Sequence, residues 1–106
     1  MIVKHKSARI STPAPGVVRR ILANSAKLML TEHTLVKGAV LPGHKHPHEQ
    51  LVYLLSGAIR LEMNGDILEM TAGDSLVIPS NVTHKVTALE NTVALDIFTP
   101  AREDYL

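Results

Sequence analysis

The 106 residues predict an all-β barrel or sandwich. Helical periodicity is scarce, and short runs rich in Val, Ile and Leu recur between turn signals. Between two such runs stands Asn64-Gly65, a dipeptide favoured in two-residue type I′ hairpins, where both central residues take positive φ.

Taken in order, residues 1–16 are expected as an extended N-terminal arm, because the prolines in Thr12-Pro13-Ala14-Pro15-Gly16 lack the amide donor that a sheet ladder uses. The barrel is assigned to residues 17–99. Apolar runs place its strands at Val17–Leu22, Leu28–Leu35 and Gln50–Ser56. Ala58–Met63 and Asp66–Met70 flank the Asn64-Gly65 turn. Ala72-Gly73-Asp74 reverses the chain into Ser75–Ile78, and Pro79-Ser80-Asn81 reverses it again into His84–Ala88. Val93–Phe98 is the last strand. The tail, residues 100–106, suggests one helical turn with Thr99 as its cap and Pro100 at the first helical position.

Composition narrows the function. A chain of this length makes one domain with one core. Net charge is +1 with both signs interspersed, and one Phe, two Tyr and no Trp leave no base-stacking platform, so nucleic acid is not an expected partner. The absence of Cys excludes disulfides and thiolate ligands. No apolar run reaches membrane-spanning or signal-peptide length, which makes a cytoplasmic protein with no membrane partner the expectation.

Chemistry concentrates in Gly38–Gln50 and Gly73–His84. On a strand, His44 and His46 would point to one side, because side chains alternate with period two. Gln50 and His84 would complete a set of three His and one Gln suited to a divalent first-row metal. Glu49, the one carboxylate of that loop, is the rival of Gln50. If His84 faces inward, Val86 does too, while Lys85 and Thr87 face out.

These spacings resemble the two motifs of the cupin family. In the first, Gly38, His44, His46, Gln50 and Gly57 fall in register, with Gln50 where Glu is more usual. In the second, Gly73, Pro79 and His84 match, Asn81 replaces Gly, and Ala88 replaces Asn. Asn81 is a mild departure, since Asn accepts the left-handed conformation. The resemblance covers Gly38–Ala88 and implies a cupin β-barrel, a jelly-roll-like double-stranded β-helix. Its register selects Gln50 over Glu49 and passes over His48, which is then expected at the rim.

The C-terminus is similar to that of the small single-domain cupins of pectin degradation, the KdgF type, which act on 4,5-unsaturated monouronates. The Asp-x-Phe-x-x-x-Arg tail of that group, whose residues line the substrate cavity, matches Asp96, Phe98 and Arg102. The resemblance implies conversion of an acidic sugar to its linear keto form by a homodimer. Asp96 would move protons, Arg102 would pair with the substrate carboxylate, and Phe98 would pack against the ring. Ala94, Asp96 and Phe98 would then share the inner face, with the metal or Arg102 as the cation that offsets the cost of burying Asp96.

Four neutral ligands leave the full charge on a divalent ion, which favours Lewis-acid over oxygen-activating chemistry. On an octahedral ion two positions stay open for substrate or water. Nickel, zinc, manganese, iron and cobalt all suit the set. A small dioxygenase, a sugar isomerase and a non-enzymatic binding module could use the same scaffold. Arg19, Arg20 and Arg60 are cations that the sequence does not place, and His5 and His33, outside the motifs, are expected to be structural or exposed.

Overall fold

Ten strands, every pair antiparallel, enclose an apolar interior in the computed structural model, which describes residues 1–106. They are β1 Arg9–Ala14, β2 Val17–Asn24, β3 Met29–Leu35, β4 Val40–His44 and β5 Glu49–Ser56, then β6 Ala58–Met63, β7 Asp66–Thr71, β8 Ser75–Ile78, β9 His84–Ala88 and β10 Thr92–Thr99. One sheet runs β1-β2-β3-β10-β5-β8 and the other β4-β9-β6-β7.

The inner faces follow the period-two pattern of the strands. Val52, Leu54, Ala94 and Ile78 from the six-stranded sheet meet Ile59, Leu61 and Met70 from the four-stranded sheet, forming the main core. Ile21, Met29, Phe98 and Ala101 form a second cluster, covered by Tyr105 of the tail. Asn64 and Gly65 both take positive φ, 52° and 84°, as the hairpin between β6 and β7 demands. Gly57 turns β5 into β6 at φ 88°, where a Cβ would collide with the Asn91 carbonyl and the Thr92 hydroxyl.

Three local expectations differ from the structure. The arm contains an edge strand, with Ile10 opposite Arg20 and Ser11 opposite Arg19. Its register breaks between Ser11 and Ala14, so Pro13 sits in the irregularity, where its missing amide costs no ladder bond. β4 lies outside the expected strands, because Pro42 and Gly43 interrupt its apolar pattern. At the C-terminus neither Thr99 nor Pro100 starts a helix. Their peptide bond is cis, the Ala101 amide donates to Ala26 O, and a 3-10 turn begins later at Glu103–Tyr105 with Arg102 as its cap.

Candidate active site

Strand pairing brings the histidines together. β4 and β9 align His44 opposite His84, with ring centroids 4.3 Å apart. His46 lies beyond the end of β4, so strand parity does not position it. Its carbonyl instead accepts the Asn81 amide at 2.8 Å, and Asn81 reaches that position in the left-handed conformation at φ 63°. The His46 ring lies 5.6 Å from that of His44 and 5.0 Å from that of His84. The prospective ligand atoms of the three histidines lie within 4.8 Å of one another.

Hydrogen bonding sets the tautomers. His44 Nδ1 faces Pro42 O at 2.9 Å, His46 Nδ1 faces His48 O at 3.0 Å, and His84 Nδ1 faces Val82 O at 2.9 Å. A carbonyl only accepts, so each Nδ1 carries the proton and each Nε2 keeps a lone pair. Burial pulls the pKa of His46 and of His84 below the ordinary histidine value, reinforced at His46 by the Arg102 charge and at His84 by the neighbouring His44. Both rings therefore favour the neutral form that a metal requires.

Gln50 completes the set. Its Nε2–H donates to Asp96 Oδ1 at 2.9 Å, which turns Oε1 toward His46 Nε2 at 3.1 Å. Two lone pairs thus face each other, an arrangement that a shared cation relieves. The separation also matches the distance of about 3 Å between adjacent donors on an octahedral ion with bonds of about 2.1 Å. The residues present fit a divalent metal on these grounds. Glu49 is exposed, on the opposite face of β5 from Gln50. His48 is half-buried, its ring edge-on to that of His46 at 5.6 Å.

Asp96 is 4% exposed, and its hydrogen-bond partners are Gln50 and His33 rather than Arg102. Its Oδ2 meets His33 Nδ1 at 2.6 Å, and Arg19 Nε–H donates to His33 Nε2 at 3.1 Å. Since Nε2 accepts, Nδ1 is the protonated nitrogen and donates to Asp96. A hydrogen-bonded chain Arg19–His33–Asp96–Gln50 runs along the inner face and ends with Gln50 Oε1 facing His46. His33 is therefore structural and buried, and Arg19 enters the site opposite it in the β2–β3 register.

Neither residue lies in a motif, yet parity marks both. Arg19 alternates with buried Val17 and Ile21, and His33 alternates with buried Thr31 and Leu35. The expected strands Val17–Leu22 and Leu28–Leu35 carried that signal.

The cavity is mainly apolar, walled by side chains such as Leu35, Ile59, Leu61 and Val86. His44, His84, Gln50, Asp96, His33 and Arg19 supply its polar side, with Phe98 of β10 and Tyr105 of the tail completing the wall. Arg102 is buried but is not among the lining residues. Its Nε and Nη2 donate to the two oxygens of Asp104 at 3.0 and 2.8 Å, and Nη1 has no partner. That pairing holds the Asp104 carboxyl below the ordinary aspartate value. The Arg102 guanidinium lies 4.2 Å from the Tyr105 ring and 5.1 Å from the Phe98 ring. Two of the three guanidinium nitrogens expected to hold a substrate carboxylate are thus engaged by a residue of the tail.

Known proteins carry the same frame. The cupin domain family matches residues 31–98. The pectin degradation protein KdgF of Dickeya dadantii is 33% identical over 93 residues, covering 86% of this chain and 84% of that protein. Among solved structures, KdgF from Halomonas sp. superposes with a TM-score of 0.92 at 30% identity over all of both chains. An RmlC-like cupin from Shewanella frigidimarina gives 0.92 at 30% identity, over 99% of this chain and 95% of that one. The His triad of a two-sheet barrel, the motif register and these similarities agree: the chain belongs to the cupin family and is a relative of KdgF.

Proposed function

We propose that the chain is a metal-dependent enzyme that opens the ring of 4,5-unsaturated monouronates, fragments of pectin or alginate, to give the linear keto form. One observation carries this reading. Asp96 is the only carboxylate among the residues lining the cavity, and it sits against a prospective metal ligand. A divalent ion held by His44, His46, Gln50 and His84 supplies Lewis acidity toward sugar oxygens and keeps its full charge beside four neutral donors.

The remaining chemistry belongs to the side chains. Asp96 takes the proton of the anomeric hydroxyl as the bond from the anomeric carbon to the ring oxygen breaks, which leaves an aldehyde and an enolate. Returning that proton from Asp96 to the alkene carbon yields the ketone. The product is an isomer of the substrate, so no oxidant or reductant enters. Phe98 packs against the sugar, and Arg102 holds Phe98, Tyr105 and Asp104 together at the tail. Positioning and electrostatic stabilisation provide most of the acceleration.

A homodimer is part of the proposal. Leu51, Tyr53, Leu55, Val77 and Ile97 are exposed on the outer face of β5, β8 and β10, where Leu51 lies opposite both Val77 and Ile97. A contiguous apolar face of this kind supports self-association.

The substrate's alkene absorbs ultraviolet light and the product ketone lacks that band. Absorbance of a 4,5-unsaturated galacturonate is followed with metal-loaded and chelator-stripped protein over the spontaneous background. Metal-dependent acceleration supports the reading. Protein that holds metal and leaves the background rate unchanged refutes it.

A further inference from the structure

Arg19 is the one Lys or Arg among the residues lining the cavity. Four other cations have acidic partners, Arg20 with Glu32, Arg60 with Glu69, Lys85 with Glu62 and Arg102 with Asp104, and those without one, Lys4, Lys6, Arg9, Lys27, Lys37 and Lys45, are exposed. Arg19 has none within ion-pair distance, although the barrel half-buries it.

Its head is nonetheless held in place. Nε–H donates to His33 Nε2 at 3.1 Å, and the guanidinium carbon lies 3.7 Å from the centroid of the Tyr105 ring. Nη1 and Nη2 donate to no group of the protein. A rigid, planar, partly desolvated fork with two free amino groups is the arrangement that recognises a carboxylate. Burial lowers the Arg19 pKa, because desolvation penalises the cation, and a bound anion would offset that cost.

We infer that Arg19, braced by His33 and Tyr105, recognises the carboxylate of the acidic sugar and makes this cavity selective for uronates over their neutral counterparts. The inference rests on the uronate reading and assigns to Arg19 the task that the tail resemblance implies for Arg102. Substrate chemistry fits the geometry. In a 4,5-unsaturated uronate the carboxylate hangs on the carbon next to the one that gains a proton. Arg19 and Asp96 lie on either side of one imidazole, that of His33. A substrate anchored at Arg19 therefore presents its alkene toward Asp96.

The test compares binding of saturated D-galacturonate and its neutral methyl ester to metal-loaded protein by calorimetry. The wild type is expected to prefer the acid by about tenfold or more, the size of a charge-assisted bond. Arg19→Gln should lose that preference, weakening the acid while leaving the ester within about twofold, with metal content unchanged. Arg19→Lys, which keeps the charge without the fork, should retain only part of it and serves if Arg19→Gln does not fold. An undiminished acid preference in these variants, or its disappearance in Arg102→Gln with Arg19 intact, overturns the assignment. Turnover of the unsaturated uronate separates the two readings. Active wild type with an Arg19→Gln variant that still discriminates overturns Arg19 alone, whereas inactive wild type that binds neither ligand overturns both.

Discussion

Asp96 orients Gln50: its Oδ1 accepts the Gln50 amide proton at 2.9 Å and so leaves Gln50 Oε1 facing His46 Nε2 at 3.1 Å. Reversing the amide would set its oxygen against a carboxylate, so Asp96 determines which Gln50 atom would meet a metal bound there. Asp96→Asn keeps an acceptor for Gln50 and should retain metal while losing turnover. Asp96→Ala removes the acceptor and should weaken metal affinity by about 10- to 100-fold. Metal titration of the two variants, alongside the absorbance assay, checks the split; full activity in Asp96→Asn would sink the proton-transfer role.

Gln50→Glu puts two carboxylates about 3 Å apart in the metal-free protein, and one must hold a proton. Its folded pKa is then raised, so the corresponding stability is full below the unfolded value of about 4.3 and is lost as pH rises through the raised value. The urea midpoint of chelated Gln50→Glu should fall between about pH 5 and pH 8 relative to wild type, and added metal should restore it. Turnover should also drop, because the carboxylate lowers the charge on the ion.

His33→Leu strands the buried Asp96 Oδ2 and the half-buried Arg19 Nε–H that His33 now receives. A loss of about 2–4 kcal/mol follows from the desolvation of unpaired groups. His5→Ala removes an exposed pair with Glu32 and should cost less than about 1 kcal/mol. Urea denaturation of both variants measures the contrast.

The metal-free protein should lose stability on acidification. His46 and His84 have folded pKa values below the ordinary 6.5, so the unfolded chain binds more protons just beneath that pH. Their contribution is fully present above about pH 6.5 and is lost as pH falls through the lowered folded values. Thermal unfolding of chelated protein from about pH 7.5 to 5 should show a falling midpoint, and replacing both histidines by Gln should flatten the curve.

Leu51→Glu places a charge in the centre of the exposed apolar face of the six-stranded sheet. It should convert a dimer to a monomer without loss of metal, as read by light scattering at equal protein concentration. A monomeric wild type would contradict the homodimer.

The sequence determined the local content of this protein. Val, Ile and Leu runs between turn dipeptides are sufficient for eight of the strands, because burial on one face imposes a period of two that residues advertise individually. The grouping of His44, His46, His84 and Gln50 was legible because it comes with a spacing. β1 and β4 were not, since Pro13, Pro42 and Gly43 hide strands that exist only because a neighbour pairs with them. Tertiary structure alone decided the connections. Arg19, His33 and Asp96 are far apart in the chain and meet only because β10 lies next to β3, and β3 next to β2. Likewise, the capture of the Arg102 fork by Asp104 depends on how the tail folds over the barrel. Hydrogen bonds and ion pairs are short-ranged and directional, so a sequence can offer the groups while only the fold sets which of them meet.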